Sequence, residues 1–542
     1  MIGQPLSTIE DKVAHSMNAS TAQRALDTPV VISGAGPVGL SLALGLARAG
    51  VHCTVLEKKE KLDPHSRATL ILARTLEIFD QWGVLDRFIA AGNVVPHARL
   101  REPTSEQNIL HVNFTKLNDI SATAYALALP QNETERILLD AVRGTGSVDI
   151  RFSTELVGFT QLDDGGIRYR ARDEHGIETD GTATYLVGAD GAHSTVRRQL
   201  GIELKGKTYP TQARLIDVRV APEHDPAGEW PVLLDRRGIV VGIRFGNRVW
   251  RIIEQAVDPN LDAAALETHI VELTSELFGG PPEEIIWQST YRKHERCATR
   301  YRSGNILLVG DAAHLNSPAG GQGMNSGVQD AHNLAWKLAR CVLTHVVDSD
   351  ALLDSYAEER RSLIRRRVLP ATDVAERFQA ARPHRRITIV RTLDKLFDFA
   401  HASGAITKRF AMIDVPYLES PILRRSRSRI GQRLPNTIDS FGQRIFDRIN
   451  HGALLWAGEE HETPRELADQ LNIPILNGDM AELTRFFDRD RYLALIRPDH
   501  IVGAIADPHA VDHSQFHRAL GLIPPPSRTS ADRAEKPSAF SG

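Results

Sequence analysis

Apolar residues in this chain form two kinds of run. Short unbroken runs stop at a glycine or an acid: Val30 to Ile32, Cys53 to Leu56, Tyr185 to Gly188 and Ile306 to Val309. That is the pattern of strands covered on both faces. Longer runs repeat their apolar positions every three or four residues and predict helices. These are Leu40 to Ala49 closed by Gly50, Asn132 to Val142, and Met324 onward through Val328, Ala331, Leu334, Ala335 and Leu338. Thr75 to Phe79 and Trp82 to Phe88 read as shorter helical segments, and Tyr125 to Leu129 as a short strand.

From 205 to about 295 the pattern changes to recurring strands, Ala213 to Val220, Val232 to Leu234, Ile239 to Phe245, Val249 to Ala256 and Ile285 to Tyr291. A helix, Ala263 to Leu277, interrupts them. Arg214, Asp217, Arg219, Arg244 and Arg251 fall on these strands and are expected to face solvent, the usual place for charge on a sheet. Ala351 to Leu369 predicts a long arginine-rich helix, with Glu358 to Arg361 a solvated charged face. Arg491 to Arg497 and Ile501 to Ile505 predict a hairpin. The expected organisation is a polar leader (1–27), an α/β unit (28–204) and a sheet module (205–295). The α/β unit then returns with a helical region (296–423), followed by a small C-terminal domain (424–523) and a disordered tail (524–542).

Composition narrows the class without naming a chemistry. Apolar residues make up 42% and charged residues 25%, and 65 basic against 68 acidic side chains leave a net charge of −3. No excess of either sign argues for nucleic acid or a membrane surface. Cys53, Cys297 and Cys341 lie far apart, with neither disulfide-framework nor metal-ligand spacing, so a reducing cytoplasm and no bound metal are expected. The first residues carry Glu10, Asp11, Lys12 and Arg24 and do not read as a signal peptide, and no run is long enough to span a bilayer.

The chemistry sits where strands end. Gly34-x-Gly36-x-x-Gly39 joins the first strand to its helix, and Glu57 follows 57 − 34 = 23 residues after the first glycine. In a strand–helix–strand unit these glycines make a tight turn, admit a pyrophosphate and let the helix pack, while the acid accepts ribose hydroxyls. Two further strands run into Asp190-Gly191 and Gly310-Asp311. The second leads through a loop rich in Gly and Pro, Ser317 to Gly323, to the helix at Met324. A helix start offers unpaired N–H groups and positive potential to an electron-rich ligand edge. Arg67 and Arg74 could each reach a phosphate or lie at the surface, and Gln131 and Glu135 stand at the start of another helix.

Together, Gly34-Gly36-Gly39 with Glu57, Asp190-Gly191 with Arg197, and Gly310-Asp311 with Pro318 to Asn325 resemble the class A flavoprotein aromatic hydroxylases. The length resembles the phenol hydroxylase and 3-(3-hydroxyphenyl)propionate hydroxylase branch. The resemblance covers residues 29 to 375 well and 425 to 522 loosely. It implies a Rossmann-like FAD-binding α/β domain, an inserted β-sheet substrate domain and a thioredoxin-like C-terminal domain. It also implies FAD as cofactor and NAD(P)H as a transient co-substrate. O2 would add at flavin C4a and pass one oxygen to a small phenolic substrate. By the same resemblance Glu57 holds the adenosine ribose, and Arg67 and Gln131 lie along the FAD. Asp190 and Gly191 place the pyrophosphate region and the coenzyme, with Arg197 supporting them. Asp311 binds the ribityl chain, and Pro318, Gly320, Gly321, Gly323, Met324 and Asn325 line the isoalloxazine. The C-terminal unit has no cysteine, so packing or homodimer contacts are its expected role rather than thiol chemistry.

The sequence departs from the branch at one point. An acid is expected just after the early arginine, yet the chain reads Ala68-Thr-Leu-Ile-Leu-Ala73. Tyr291, His294, Arg244 and Tyr209 are then the candidates to act on the phenol, and His314 is either functional or a loop-ordering residue. A halogenase would carry a WxWxIP segment that Trp230-Pro-Val-Leu-Leu does not supply. An FAD oxidase or dehydrogenase, or a ligand-sequestering protein on the same fold, stays open at this stage.

Overall fold

In the computed structural model the described residues are 27–522, except 65–68, 102–107, 227–229, 236–237, 258–261, 318–320, 345–346, 382–384, 386–388, 390–399, 424–428, 439–441, 459–461 and 508–509. The expected leader and tail, together with Arg67, Pro318 and Gly320, lie outside them.

The chain opens with β1 (Thr28–Ser33), α1 (Pro37–Arg48) and β2 (Cys53–Leu56). Pro37 takes the first helical position of α1, where its fixed φ suits the helix and its missing N–H is no loss. After α2 (Ala73–Gln81) and α3 (Gln131–Arg143) comes β3 (Glu178–Gly188), parallel to β1. A short helix, α4 (Thr195–Gln199), follows, its first turn capped by Ser194.

The second sheet is built from β4 (Leu204–Val220), β5 (Trp230–Asp235), β6 (Gly238–Gly246), β7 (Val249–Val257) and β8 (Pro282–Ala298). Their order is β8-β4-β7-β6-β5, extended by strands His97–Arg101 and Asn108–Asn113 beyond β5. The sheet therefore recruits chain from well before residue 205. One face is covered by the helix Ala263–Phe278, whose Phe278 packs on Trp250 at 5.0 Å between ring centroids. The other face closes over a cavity.

The chain then returns to the first sheet through β9 (Ile306–Leu308), parallel to β3. The order Ile306–Leu308, β3, β1, β2, Val148–Arg151 is parallel throughout, and its inner residues are fully buried. Next come α5 (Gln322–Leu343), α6 (Ser349–Leu363) and, past a wide turn at Ile364–Val368, α7 (Leu369–Ala380). The C-terminal unit is a four-stranded sheet of β10 (Ala453–Ala457), β11 (Ile475–Asn477), β12 (Tyr492–Ile496) and β13 (Val502–Ala506), ordered β11-β10-β12-β13. β12 and β13 form the expected hairpin.

Charge is where the structure corrects the sequence. Glu358 and Arg361 reach solvent, but Glu359 and Arg360 are completely buried, because α6 is packed between α5 and the β12–β13 turn. Glu359 accepts from Arg497 at 2.7 and 2.9 Å, Lys337 at 2.8 Å, Asn333 at 2.9 Å and Ser420 at 2.6 Å. Arg360 pairs with Asp330 at 2.6 Å. Arg74 is neither a phosphate ligand nor a surface residue: it is buried, 3.0 Å from Glu77 and 2.8 Å from the carbonyl of Asp499. On the second sheet Arg214 is buried against Glu254 (3.2 Å) and Arg251 against Asp217 (2.7 Å). A sheet covered on both faces leaves these positions no solvent side, so each charge is buried with its partner.

Candidate active site

The ends of β1, β2, β3 and β9 open into one cavity of about 1250 Å³, which continues to the inner face of the second sheet. At one end it is lined by Gly36, Glu57 and Asp190; at the other by Leu215, Val241 and Ile253. This is the crevice beyond the carboxyl ends of parallel strands where α/β folds take their ligands.

The glycines of the first turn divide into two groups. A Cβ at Gly39 would lie 2.0 Å from the Gly34 carbonyl oxygen, and one at Gly34 would lie 2.5 Å from the Ala189 carbonyl oxygen. These two let the turn, the helix and β3 meet. A Cβ at Gly36, Gly191 or Gly323 would meet nothing among the described residues within 4 Å, and all three line the cavity. Their bare backbone faces space that the protein leaves open, as a closely held dinucleotide requires.

Two helices begin at this cavity, α1 at Gly36 and α5 at Gly321, and neither has a side-chain cap. Their first N–H groups and dipoles are left for a ligand. Glu57 is fixed by the Ala35 N–H at 2.8 Å and the Lys59 N–H at 3.0 Å, which sets its carboxylate at the end of β2. Asp190 accepts the Thr195 and Val196 N–H groups through one oxygen, at 2.7 and 3.2 Å, while its other oxygen is buried with no partner among the described residues. Arg197 does not line the cavity. Its guanidinium bridges the carbonyls of Ala312 (3.0 Å) and Ala192 (2.8 Å), tying the loop after β3 to the turn after β9.

Asp311 is exposed at the cavity rim. Its turn is held by Asp330, which accepts the Gly310 N–H at 3.1 Å and bonds His314 at 2.8 Å. His314 is thus a loop-ordering residue. Gly321, Gly323 and Met324 line the cavity. The Asn325 side chain is committed elsewhere, accepting the Leu72 N–H at 2.9 Å and donating to the Leu70 and Gly321 carbonyls at 2.9 and 2.7 Å. These residues present an orphan carboxylate oxygen, two uncapped helix starts and three open glycines, which fits a dinucleotide with an electron-rich ring.

Gln131 donates to Glu135 at 2.8 Å, and both line the cavity. Burial pushes the Glu135 carboxyl up to about 7, against the opposing hydrogen bond from Gln131. A folded-state value above the unfolded one gives stability that is complete below about pH 4 and lost as pH rises through 7. Glu135→Gln should therefore gain up to about 3 kcal/mol over the parent at pH 8 and almost nothing at pH 4. Urea unfolding at the two pH values measures this, and equal effects at both would contradict it.

Of the four residues considered for the phenol, Tyr291 and His294 line the cavity and the other two do not. Arg244 is held by Asp225 at 2.6 and 3.2 Å, and Tyr209 by Glu295 and by Asp373 at 3.0 Å. His294 meets Thr208 at 2.9 Å, and burial with Arg296 and Arg292 nearby lowers its imidazole from the usual range, favouring the neutral ring. Lys293, between these two, also lines the cavity. It shares the strand face of Tyr291, and that alternation is the signal that could have found it.

Among the described residues no group of three or more His, Cys, Asp or Glu could hold a metal, and no helix is long and apolar enough to cross a membrane. The FAD binding domain family matches residues 27–370. A flavin-dependent monooxygenase of Mycobacteroides abscessus is 32% identical over 500 residues, 88% of this chain and 97% of that protein. The 3-(3-hydroxy-phenyl)propionate/3-hydroxycinnamic acid hydroxylase of Paraburkholderia xenovorans is 32% identical over 65% of this chain and 55% of its own. Aklavinone-11 hydroxylase, solved with FAD and aklavinone, superposes with a TM-score of 0.76 at 25% identity over 91% of this chain and 99% of its own. The chain belongs to the class A FAD-dependent aromatic hydroxylases, in the phenol hydroxylase-like branch, and is an FAD-dependent aromatic-ring monooxygenase.

Proposed function

We propose that the protein hydroxylates a phenolic ring, with NAD(P)H as reductant and O2 as oxidant, one oxygen atom entering the ring and the other leaving as water. The observation that carries this is the single cavity joining the dinucleotide turns to the apolar face of the second sheet. A ring resting on Leu215, Val241 and Ile253 faces the start of α5. Bound FAD supplies hydride acceptance and oxygen activation.

The residues divide that work. Gly34 and Gly39 hold the turn, and Gly36 admits the pyrophosphate. Glu57 takes the ribose hydroxyls, Gln131 lies along the cofactor, and Asp190 with Gly191 orders the pyrophosphate region and the coenzyme's approach. Arg197 acts by fixing the two loops to each other. Asp311 takes the ribityl chain. The resemblance gives the Met324 and Asn325 N–H groups the task of stabilising negative charge on the flavin's pyrimidine edge, as donors aimed at a developing anion do. Asn325 contributes by pinning Leu70 to Leu72 against the helix start. Arg67, Pro318 and Gly320 keep the roles that the resemblance implies.

The domain limits above are part of the same proposal. The C-terminal unit is read as thioredoxin-like on its order of parallel β10–helix–β11, a helix, then the β12–β13 hairpin and a helix. With no cysteine after Cys341 it serves packing or dimer contacts. Free cysteines at 53, 297 and 341 support a cytoplasmic setting.

The test is purified yellow protein, NADH or NADPH oxidation against a panel of phenols, and product mass under labelled O2. One labelled oxygen per product with phenol-stimulated coenzyme oxidation is expected. If no phenol speeds oxidation and none takes label, the proposal fails.

A further inference from the structure

The cavity wall carries a cluster of buried polar groups with no part in the scheme above. Lys293 on β8 is 1% exposed; its Nζ donates to the Gln255 carbonyl at 2.9 Å and to Glu376 on α7 at 2.6 Å. Ser317, the first residue of the loop leading to α5, donates to the other Glu376 oxygen. Bulges in β4 and β7 make this possible. β8 pairs with β4 at Thr208↔His294 and resumes only at Gln212↔Arg292, while β7 pairs at Gln212↔Val257 and then Arg214↔Glu254. Gln255 is left without a register partner on β4, so its carbonyl is open to a lysine reaching from the strand beyond.

An ammonium has three N–H donors. Two are used here, and the third has no partner among the described residues. Gln255 and Gln379, 7% and 8% exposed, each bury a carboxamide oxygen that has no partner among the described residues, and neither polar end of Asn316 is paired among them. All four side chains line the cavity. Buried polar groups are normally satisfied, so unpaired amides near a cation on the cavity wall mark a place for an occupant that completes them.

The chemistry of the occupant follows from the open valences. The lysine asks for an acceptor, by preference an anion, and the glutamine oxygens ask for donors. Resting on the aromatic-hydroxylase reading, we infer that Lys293 receives the ionised hydroxyl of a dihydroxylated ring whose second hydroxyl donates to Gln255 or Gln379. The first hydroxyl's proton leaves to water on binding. Glu376 and Ser317 are positioning residues that aim Lys293 and link it to the loop before α5. A phenolate ring is the electron-rich partner that oxygen transfer needs, and Lys293 fills the role left open by the missing acid near Arg67.

Oxidised, FAD-loaded enzyme without NAD(P)H is titrated with 4-nitrocatechol, 4-nitrophenol and 4-nitrobenzoate, at a pH where the free phenols are mostly protonated. Difference absorption reports both affinity and ionisation. 4-Nitrocatechol should bind tightest and carry a phenolate spectrum. Lys293→Met with Glu376→Gln, which strands no buried charge, should weaken it about tenfold or more and return the neutral spectrum. Lys293→Arg should keep the phenolate, and Gln379→Leu should erase the preference for nitrocatechol over nitrophenol.

The inference is overturned if the parent binds neither phenol or binds them neutral. It is equally overturned if the double variant keeps its flavin and titrates like the parent, or if 4-nitrobenzoate binds best through Lys293. Should the double variant lose its flavin, the Lys293→Arg and Gln379→Leu results decide. Phenolate binding without labelled-oxygen uptake would sink the hydroxylase reading and leave this site standing; uptake with neutral binding would do the reverse.

Discussion

Glu359→Gln should destabilise the protein by about 3–5 kcal/mol, the cost of breaking a buried ion pair from one side. The substitution keeps the shape of the side chain and removes only its charge. Arg497 and Lys337, both completely buried, would then share no carboxylate between them. Because Arg497 and Asp499 sit at the β12–β13 turn while Asn333 and Lys337 belong to α5, the loss also loosens the C-terminal unit from the helix that begins at the cavity. A cost of that size is a large part of a typical domain's net stability of about 5–15 kcal/mol. Urea unfolding at pH 7 measures it, and a parental midpoint and slope would refute it.

The same carboxylates set the acid limit. Burial by itself would raise Glu359, Asp330, Asp499 and Glu77. The cations beside them hold all four below the usual range: Arg497 and Lys337 for Glu359, Arg360 for Asp330, Arg497 for Asp499, and Arg433 and Arg74 for Glu77. Depressed folded-state values give stability that is present above the unfolded value of about 4 and lost as pH falls through the folded ones. Stability should thus drop steeply below about pH 4, and Glu359→Gln should flatten part of that slope.

Gly323→Val should leave the fold intact and strip the flavin. A Cβ at this position meets nothing among the described residues within 4 Å, and valine is no worse a helix former than glycine, so the fold has room for the added side chain. The room it takes is at the uncapped start of α5, on the cavity wall. Overpacking of about 1–3 kcal/mol there corresponds to roughly a five- to hundredfold loss of flavin affinity. Gly39→Ala would act differently, since its Cβ would sit 2.0 Å from the Gly34 carbonyl oxygen and distort the turn with or without a ligand. Flavin absorbance and melting temperature separate the two. A Gly323→Val protein that purifies fully yellow would refute the placement of the flavin ring.

The parallel sheet was legible in the sequence because its strands are short apolar runs ending at glycine or aspartate. Periodicity reports local structure directly when burial is uniform along an element. Charged residues were legible only where they reach water. Glu358 and Arg361 do; Glu359 and Arg360, adjacent to them, lie on the covered side of α6, which no local pattern distinguishes from the open side. Arg214 and Arg251 are buried against the expectation for the same reason, since a strand's alternation tells which residues share a face but not what covers it. Among the candidates for the phenol, Tyr209 and Arg244 carried suitable chemistry, yet carboxylates distant in sequence hold both away from the cavity.

By itself, then, the sequence determined the strand–turn–helix units and the glycines at their joints, because backbone geometry at a tight turn is dictated by residues next to one another. It also determined the class of cofactor those turns suit. Only the tertiary structure decided which charges are buried, how the C-terminal turn is locked onto α5 and α6, and that Lys293, Glu376, Ser317, Gln255 and Gln379 meet at one wall. These groups come from three elements and a loop spread over more than a hundred residues, and their proximity depends on a strand bulge and on packing, which leave no local signature in the chain.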